Sequence, residues 1–452
     1  MAQVEVLETT ELGDRSYVVH DGTTAVVVDP QRDIDRVEGL LVARGLALGA
    51  VAETHLHNDY VSGGAALARR AGVDHLVCAD DDVAFRRRAV RSGDELRYGG
   101  LTVRALHTPG HTFHHLSYVA FGEDDDPPAV FTGGSLLYGS VGRTDLLGPE
   151  HAEELTREQF RSARRLSGAF DDDARIFPTH GFGSFCSAGS TTGADRSTMG
   201  EEREQNDALT AAGEDGFVEE LLANLTPYPD YYTHMGERNA VGPERPDLAP
   251  AVPVDPERLR ASIRAGEWVV DLRSRRAYAA GHVSGTVGIE LESDQFSTYL
   301  GWLMPWDTPV TLIGSSSDQV ARAQRQMVRI GIERPGGAAV GRIEDLADGR
   351  RPESYPRAEF GDLAGAHHAT VLDVRQDDER QQSAIPGSLH VPIHRVPDRT
   401  GELPRDAKLW VHCASGFRAS IAASLLARDG HDVVLIDDEY TNAVRLGLAE
   451  QR

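Results

Sequence analysis

The chain has 452 residues, of which 40% are hydrophobic and 26% charged, so a disordered or collagen-like protein is disfavoured and about three domains are expected. Asp and Glu outnumber Lys and Arg by 71 to 46, and the formal net charge of -25 argues against nucleic acid and membrane surfaces as partners. Three scattered cysteines, Cys78, Cys186 and Cys413, do not suit a disulfide framework, and the first residues carry no signal-peptide pattern. We therefore expect a cytoplasmic protein.

The first predicted elements are short and rich in β-forming residues. Residues 16–20 and 25–29 flank Asp21-Gly22, which is a hairpin turn signal. A helix over residues 37–44 and a buried strand over 50–54 follow. Three more strands are predicted at 101–106, 116–121 and 130–132. Strands and helices in this order predict an α/β layered domain.

Two composition breaks divide the chain. The first, residues 227–256, contains seven prolines and little periodicity, and we interpret it as an ordered linker or wrapping segment. The second, residues 348–356, contains Gly349, Pro352 and Pro356 among charged residues. The breaks predict three domains, at 1–245, 253–349 and 358–452.

The last two predicted domains repeat each other. Residues 268–273 match residues 369–375 at an offset of 102, and residues 311–314 match residues 410–413 at an offset of 99. Each copy has the pattern of strand, helix, strand, tight loop, helix and strand. This pattern predicts a small parallel-sheet α/β domain that is present twice.

Histidines gather at predicted strand-to-loop junctions of the first domain. His55 and His57 form a His-x-His pair after a predicted strand, and Asp59 follows two residues later. His111 lies in Pro-Gly-His-Thr, and His180 lies in Pro-Thr-His-Gly. Imidazole nitrogens suit zinc and iron. The pattern therefore predicts a metal site.

The histidine motifs together resemble the metallo-β-lactamase superfamily, over roughly residues 3–245. The Val-Ser-Gly-Gly run after Tyr60, the segment 142–146 and the segment 180–186 resemble its persulfide dioxygenase and glyoxalase II branch. This resemblance implies an αββα sandwich with a metal centre. It also implies His55, His57, His111 and His180 as metal ligands, with Asp59 as a catalytic base or further ligand.

Two residues depart from the family pattern. The second-site histidine of the family is Tyr60 here. Gly134 stands where the family has an aspartate, which bridges two metals in glyoxalase II and completes the His-His-Asp triad of the iron dioxygenases. The resemblance then implies one divalent ion, Fe2+ or Zn2+, in place of a dinuclear centre. An active mononuclear site, altered chemistry and a degenerate site all stay open. Arg143 is either a substrate-binding residue or the partner of Asp145 in a structural pair.

A cysteine loop joins a predicted strand to a helix in the last domain. Cys413 faces the helix N-terminus, which lowers the pKa of a thiol, Gly416 allows the turn, and Arg418 adds a positive charge. The six residues from Cys413 to Arg418 resemble the rhodanese loop, since the related phosphatase loop has one more. The resemblance implies that Cys413 and Arg418 are catalytic. Arg375, Ser415 and Gly416 are predicted to bind substrate.

Departures from the rhodanese pattern occur in both copies. The last domain has Ser-Ala-Ile at 383–385 for Gly-His-Ile, and Asp437-Asp438 for Gly-Gly. The upstream copy has Gly314 in place of the cysteine and Gln319 in place of the arginine. Without a nucleophile this copy cannot carry sulfur, so we expect a structural or docking module.

The fold class predicted from these patterns is α/β, with a metallo-β-lactamase αββα sandwich followed by two rhodanese-like parallel-sheet domains. The domain order resembles persulfide dioxygenase–rhodanese fusions. This implies oxidation of a low-molecular-weight thiol persulfide at the metal and sulfur transfer through Cys413. A zinc-dependent hydrolase of a thioester-like substrate and a sulfur-carrier or docking protein are the alternatives. The expected partners are a small thiol, its persulfide or thiosulfate, and a second copy of the chain in a homodimer.

Overall fold

A computed structural model of the chain describes residues 2–122, 126–189, 192–366 and 368–451. The chain divides into two compact units. The first extends to Asp247 and includes Val328–Gly331, and the second consists of Leu248–Met327 and Ile332–Arg452. The described residues contain no helix that is both long enough and apolar enough to span a membrane.

The first unit contains strands and helices along its whole length. Its strands are β1 (Gln3–Thr9), β2 (Asp14–His20), β3 (Thr24–Val28), β4 (Ala47–Ala52), β5 (Asp74–Cys78), β6 (Arg88–Val90), β7 (Glu95–Tyr98), β8 (Leu101–His107), β9 (Leu116–Phe121), β10 (Ala129–Gly133), β11 (Arg175–Pro178) and β12 (Ser197–Thr198). Its helices are α1 (Asp35–Arg44), α2 (Gly64–Ala71), α3 (Ala152–Ala169), α4 (Met199–Gln205), α5 (Asp207–Thr210), α6 (Glu214–Asn224) and α7 (Tyr232–Val241).

The strands of this unit form two sheets, with the orders β1-β2-β3-β4-β5-β6 and β12-β11-β10-β9-β8-β7. Apolar side chains from both sheets form a common core, to which Tyr17, Leu76 and Phe131 belong. Helices α1 and α2 pack on the outer face of the first sheet, and α3 and α6 pack on that of the second. These four layers confirm the αββα sandwich expected from the sequence.

The second unit contains two parallel sheets. Its strands are β13 (Trp268–Asp271), β14 (Val287–Gly288), β15 (Val310–Gly314), β16 (Gly337–Val340), β17 (Arg357–Ala358), β18 (Thr370–Asp373), β19 (Ser383–Ala384), β20 (Leu389–His390), β21 (Leu409–His412), β22 (Val433–Ile436) and β23 (Glu450–Gln451). Its helices are α8 (Pro256–Arg264), α9 (Arg275–Ala280), α10 (Phe296–Leu303), α11 (Ser317–Arg329), α12 (Ile343–Leu346), α13 (Phe360–Gly365), α14 (Asp377–Gln382), α15 (Val396–Arg399), α16 (Phe417–Arg428) and α17 (Tyr440–Arg445). Short 3-10 helices lie at Ile393–Arg395 and Thr400–Glu402.

The two parallel sheets have the strand orders β14-β13-β15-β16 and β17-β22-β21-β18-β20, while β19 and β23 pair antiparallel. Strands β13 and β18 lie at the sequence offset of 102, and β15 and β21 begin at the offset of 99. The predicted pair of parallel α/β folds is therefore present. The cysteine loop follows β21, which is an inner strand of its sheet.

One prediction from the sequence is wrong in part. The proline-rich segment 227–256, interpreted as a linker, contains helix α7. Pro229 and Pro243 flank the helix, so every residue within it keeps its backbone N–H donor. Gly242 ends it in the left-handed conformation, at φ 77°, which glycine adopts without strain.

Candidate active sites

Strand ends of the first unit bring together all four histidines that the sequence predicts as ligands. His55 and His57 follow β4, His111 follows β8 and His180 follows β11. Each side chain is buried, with at most 2% of the residue exposed. The ring centroid of His55 lies 4.1 Å from that of His57, 4.8 Å from that of His111 and 5.4 Å from that of His180.

Hydrogen bonds leave a ring nitrogen of these histidines available for a ligand. Nδ1 of His111 donates to the carbonyl of Arg143 at 2.7 Å, and its buried Nε2 has no hydrogen-bond partner among the described residues. In the same part of the chain, Nδ1 of His57 is also buried without a partner. Nε2 atoms of His55 and His180 lie 3.4 Å apart. Buried lone pairs are costly unless a proton or an ion pairs with them, so this donor set fits one divalent cation.

Tyr60, which replaces a family ligand, orients a neighbouring one. Its ring stacks on His57 with centroids 4.3 Å apart, and its hydroxyl lies 3.0 Å from Nε2 of that histidine. Asp29 and Glu53 approach the same nitrogen, at 3.3 and 3.4 Å. Burial opposes protonation of His57, but these two carboxylates raise its pKa to about 9. Together they hold the proton on Nε2 and turn Nδ1 towards the other histidines.

Gly134 has neither a carboxylate nor the space for one. A Cβ atom built there would lie 2.3 Å from Cδ2 and 2.5 Å from Cγ of His111. The Gly134 N–H donates to Nε2 of His115 at 3.0 Å, and the His115 ring stacks against His55. The sequence analysis missed His115, although it lies four residues after His111 in a run rich in histidine. The space in which the family has a carboxylate is therefore occupied by the rings of His111 and His115.

His180 is held by two carboxylates. Its Nδ1 lies 2.9 Å from Asp14 and 3.1 Å from Asp59, and both aspartates are buried. Burial opposes protonation of His180, but the two carboxylates raise its pKa to about 10. Asp59, predicted as a base or ligand, thus lies behind His180 and positions it. Asp14 was not predicted, because it is 166 residues from its partner in the sequence.

The remaining two imidazoles are neutral at ordinary pH. Burial lowers the pKa of His55 well below its usual value, and the neighbouring imidazoles add to this effect. Burial also lowers the pKa of His111 to about 3, with a further contribution from the charge of His180. Neutral imidazole is the form that binds metal, so both residues are ready to ligate without losing a proton.

Arg143 has its guanidinium already occupied. Asp145 accepts two hydrogen bonds from it, at 2.7 and 2.8 Å, and the carbonyls of Phe185 and Thr226 accept two more. Only 1% of Arg143 is exposed. The structure thus favours the structural pair over the predicted substrate-binding role. Its carbonyl, which accepts from His111, gives Arg143 a positioning role at the metal site.

Helix α7 fixes the loop that carries the His-x-His pair. Nδ2 of Asn239 donates to the carbonyls of His57 and Tyr60, both at 2.8 Å, and its Oδ1 accepts from the N–H of Ser62 at 2.8 Å. Asn239 is buried. Its amide therefore satisfies three backbone groups of a loop that lies outside the strands of both sheets.

Asn239→Ala is expected to weaken metal binding about 10–100-fold, as loss of an outer hydrogen-bonding shell usually does. The unsatisfied loop carbonyls should also lower the stability of the first unit by about 1–3 kcal/mol. Titration with zinc and thermal unfolding measure the two effects. Asn224→Ala, at an exposed helix end, is the matched control and should leave both values unchanged. Equal affinity in the two variants would contradict the role given to α7.

The second candidate site is the loop after β21. Cys413 is only 1% exposed, and the N–H of Gly416 donates to its Sγ at 3.2 Å. Gly416 has φ 90°, which a side chain would make strained, and helix α16 begins at the next residue. The sulfur therefore lies beside a backbone N–H donor at the N-terminus of a helix, where partial positive charge accumulates. Ser415 is exposed at the tip of the loop.

The two arginines predicted for this site are paired with carboxylates. Arg418 donates to both oxygens of Glu379, at 2.5 and 2.7 Å. Arg375 donates to both oxygens of Asp373, at 3.0 and 2.7 Å. The upstream copy, which has no cysteine, makes the equivalent pair between Arg273 and Asp271. Because the same pair occurs in a copy without a nucleophile, it favours a structural role for Arg375 over the predicted substrate-binding role.

Acid should weaken the Glu379–Arg418 pair. Burial opposes ionisation of Glu379, but the Arg418 hydrogen bonds outweigh this and hold its pKa below the ordinary value. A depressed pKa contributes stability above the unfolded value of about 4.3, and this stability is lost as the pH falls. Glu379→Gln should therefore cost about 1–3 kcal/mol at pH 7 and progressively less below about pH 4.

Thermal unfolding of the Glu379→Gln protein across this pH range tests the expectation. Glu402→Gln breaks an exposed pair with Arg399 and is the control, with little effect at any pH. A cost for Glu379→Gln that does not change between pH 7 and pH 3 would show that charge is not its cause.

Two known families match the parts of the chain that contain the two candidate sites. Residues 10–180 match the metallo-beta-lactamase superfamily, and residues 356–444 match the rhodanese-like domain. A hydroxyacylglutathione hydrolase-like protein of Bos taurus is 36% identical over 136 residues, which are 29% of this chain and 68% of that protein. The chain belongs to the metallo-β-lactamase superfamily and carries a rhodanese-like domain in its C-terminal part.

Two further proteins resemble the chain. The hydroxyacylglutathione hydrolase of Cupriavidus taiwanensis is 36% identical over 174 residues, which are 36% of this chain. The chain spans 59–61% of the length of this hydrolase and of three other curated relatives. The crystal structure of a metallo-beta-lactamase from Staphylococcus aureus subsp. aureus COL is 26% identical with a TM-score of 0.67, and the match covers 75% of this chain and 99% of that one.

Proposed function

We propose that the protein is an enzyme of sulfane-sulfur metabolism. The first unit would oxidise a low-molecular-weight thiol persulfide at a mononuclear metal centre, and Cys413 would transfer sulfur. The observation that supports this most is the combination, in one chain, of a buried histidine centre and a six-residue cysteine loop of the rhodanese type.

The residues that would hold the ion are His55, His57 and His180, whose ligand atoms lie within 4.8 Å of one another, with His111 as a further ligand through its unpartnered Nε2. Bound iron supplies oxygen chemistry, whereas bound zinc supplies a Lewis acid. His55 and His111 are already neutral, whereas His57 and His180 would each release a proton when they bind the ion. Four neutral imidazoles would not neutralise a divalent cation, so an anionic persulfide or thiolate would be a favoured ligand. Asp14 and Asp59 keep a proton on Nδ1 of His180, and burial of the cluster limits the access of water.

A zinc-dependent hydrolase of a thioester-like substrate is the second candidate. The curated relatives that are hydroxyacylglutathione hydrolases favour it. Tyr60 argues against a dinuclear form of it, because tyrosine is a poor ligand for a second metal near neutral pH. Gly134 keeps the hydrolase competitive, because the carboxylate missing there is one that the resemblance implies for the iron dioxygenases as well.

Metal analysis and two assays separate these candidates. Protein purified without added metal is analysed for iron and zinc, and then tested for oxygen uptake with glutathione persulfide and for hydrolysis of a hydroxyacylglutathione thioester. Iron with oxygen uptake that His111→Ala abolishes is the expected result. Zinc with thioester turnover and no oxygen uptake would support the hydrolase. Failure of both reactions would leave the first unit as a docking module.

Small thiols and their persulfides are the partners we propose. Pairing of two copies in a homodimer and a cytoplasmic location stay predictions. The three cysteines, all of them unpaired and buried, are consistent with a reducing compartment.

A further inference from the structure

An aspartate packs directly on the cysteine loop. Asp437 follows β22, the neighbour of β21, so the two strands end at the same edge of the parallel sheet. A Cβ atom built on Gly416 would lie 2.7 Å from Oδ1 of Asp437. Asp437 is buried, with 8% of the residue exposed. The carboxylate therefore lies against the same glycine whose N–H donates to Sγ of Cys413.

Three arginines bind this carboxylate. Nε of Arg275 donates at 2.6 Å, Nε of Arg276 at 3.2 Å and Nη1 of Arg357 at 3.1 Å. Arg275 and Arg276 begin helix α9 of the upstream copy. The copy without a nucleophile thus contributes side chains beside the loop that has one.

The Asp437 carboxylate accepts hydrogen bonds from the same arginines that could otherwise bind an anionic substrate. Arg275 also donates to Glu290 at 3.0 Å. On the other side of the loop, Glu379 neutralises Arg418. The arginines outnumber the carboxylates here, but Asp437 already occupies them. A dianion that approaches Cys413 gains their charge only by displacing Asp437, which is unfavourable. A neutral or singly charged donor meets a smaller penalty.

We propose that Asp437 sets the donor specificity of Cys413, favouring thiol persulfides over dianionic donors of the thiosulfate type. This rests on the proposed sulfur transfer. The Cys413 thiolate attacks the outer sulfur of R–S–SH, a new sulfur–sulfur bond forms at Sγ, and the bond within the donor breaks. The electron pair leaves with R–S⁻, the proton stays on the transferred sulfur, and no oxidant or reductant is consumed.

Loading of Cys413 tests the specificity. The full chain is incubated with equal concentrations of cysteine persulfide, which carries a single net negative charge, or of sodium thiosulfate, a dianion. The mass added to the Cys413 peptide is followed with time. The wild-type protein should load from the persulfide at least about tenfold faster. Asp437→Asn, which keeps the shape but removes the charge, and Asp437→Gly should speed loading from thiosulfate at least about tenfold and change persulfide loading little.

Two more variants complete the test. Asp429→Asn removes another arginine-paired carboxylate, away from the loop, and should change neither rate. Arg276→Gln, at a largely exposed side chain, leaves Asp437 less neutralised and should slow thiosulfate loading further, which keeps the test open if the Asp437 variants do not fold. Equal loading of the wild type from both donors, or unchanged preference in Asp437→Asn and Arg276→Gln, would overturn the proposal. Failure of both donors in every variant would refute the sulfur-transfer function itself.

Discussion

Gly134→Asp is expected to abolish metal binding, although it introduces the carboxylate that the family has at this position. The new Cβ would lie within 2.5 Å of two ring atoms of His111. The backbone cannot move away easily, because the Gly134 carbonyl accepts from the N–H of Gly142 at 2.9 Å and its N–H donates to His115. His111 must therefore leave the cluster.

The expected loss of metal affinity exceeds the roughly 10–100-fold that loss of an outer hydrogen bond causes, because a ligand itself is displaced. Overpacking should also lower stability by about 1–3 kcal/mol. Equilibrium titration with zinc or iron and thermal unfolding measure these effects. Gly134→Ala should behave in the same way, since the cause is the Cβ atom and not the charge.

Gly168→Asp is the control, because nothing lies within 4 Å of a Cβ atom at this exposed helix position. Its metal content and affinity should equal those of the wild type. A second equivalent of bound metal in Gly134→Asp would contradict the steric argument. It would show that the chain lost a dinuclear site by one substitution only.

Cys413→Ser is expected to reduce sulfur transfer to cyanide by more than about a thousandfold, because a serine hydroxyl is not ionised near neutral pH and forms no persulfide. The change is one atom at a position that the Gly416 N–H already contacts, so the loop should keep its conformation. Turnover of persulfide at the histidine centre, which lies in the other unit, should be unchanged.

Cys78→Ser is the matched control, since Cys78 is also buried but lies at the end of β5, in the first unit. It should transfer sulfur at the wild-type rate. If Cys413→Ser still transferred sulfur and His111→Ala did not, sulfur transfer would take place at the metal centre and not at Cys413. Cys186 is less suitable as a control, because its sulfur lies near His111 and His180.

The layered fold could be predicted because its signals are local. Alternating apolar residues marked most of the strands around the histidines, and the repeat at offsets of 102 and 99 marked the two parallel sheets. Helix α7 was missed because prolines dominate the composition of segment 227–256, although they lie outside the helix. Composition over a window does not show where within it the backbone is free to form a helix.

In the candidate sites, only the residues that lie within short sequence motifs could be predicted. Strand-end motifs located the four histidines and Cys413, but not the side chains that hold them. Asp14 and Glu379 come from distant strands or helices, and no spacing rule connects them with His180 or Arg418. For Arg143 the sequence left substrate binding and a pair with Asp145 both open, and only the structure shows the pair. The pair of Arg375 with Asp373 was not predicted.

The anchoring of the His-x-His loop by α7 has a practical consequence for protein engineering. The family match of the first unit ends at residue 180, and a metal domain excised there, or anywhere before Tyr232, would keep every histidine ligand. It would nevertheless lose the Asn239 amide that binds the loop carbonyls of His57 and Tyr60. An independently expressed metal domain should therefore extend through α7, since a shorter one would have the ligands without the loop conformation that presents them.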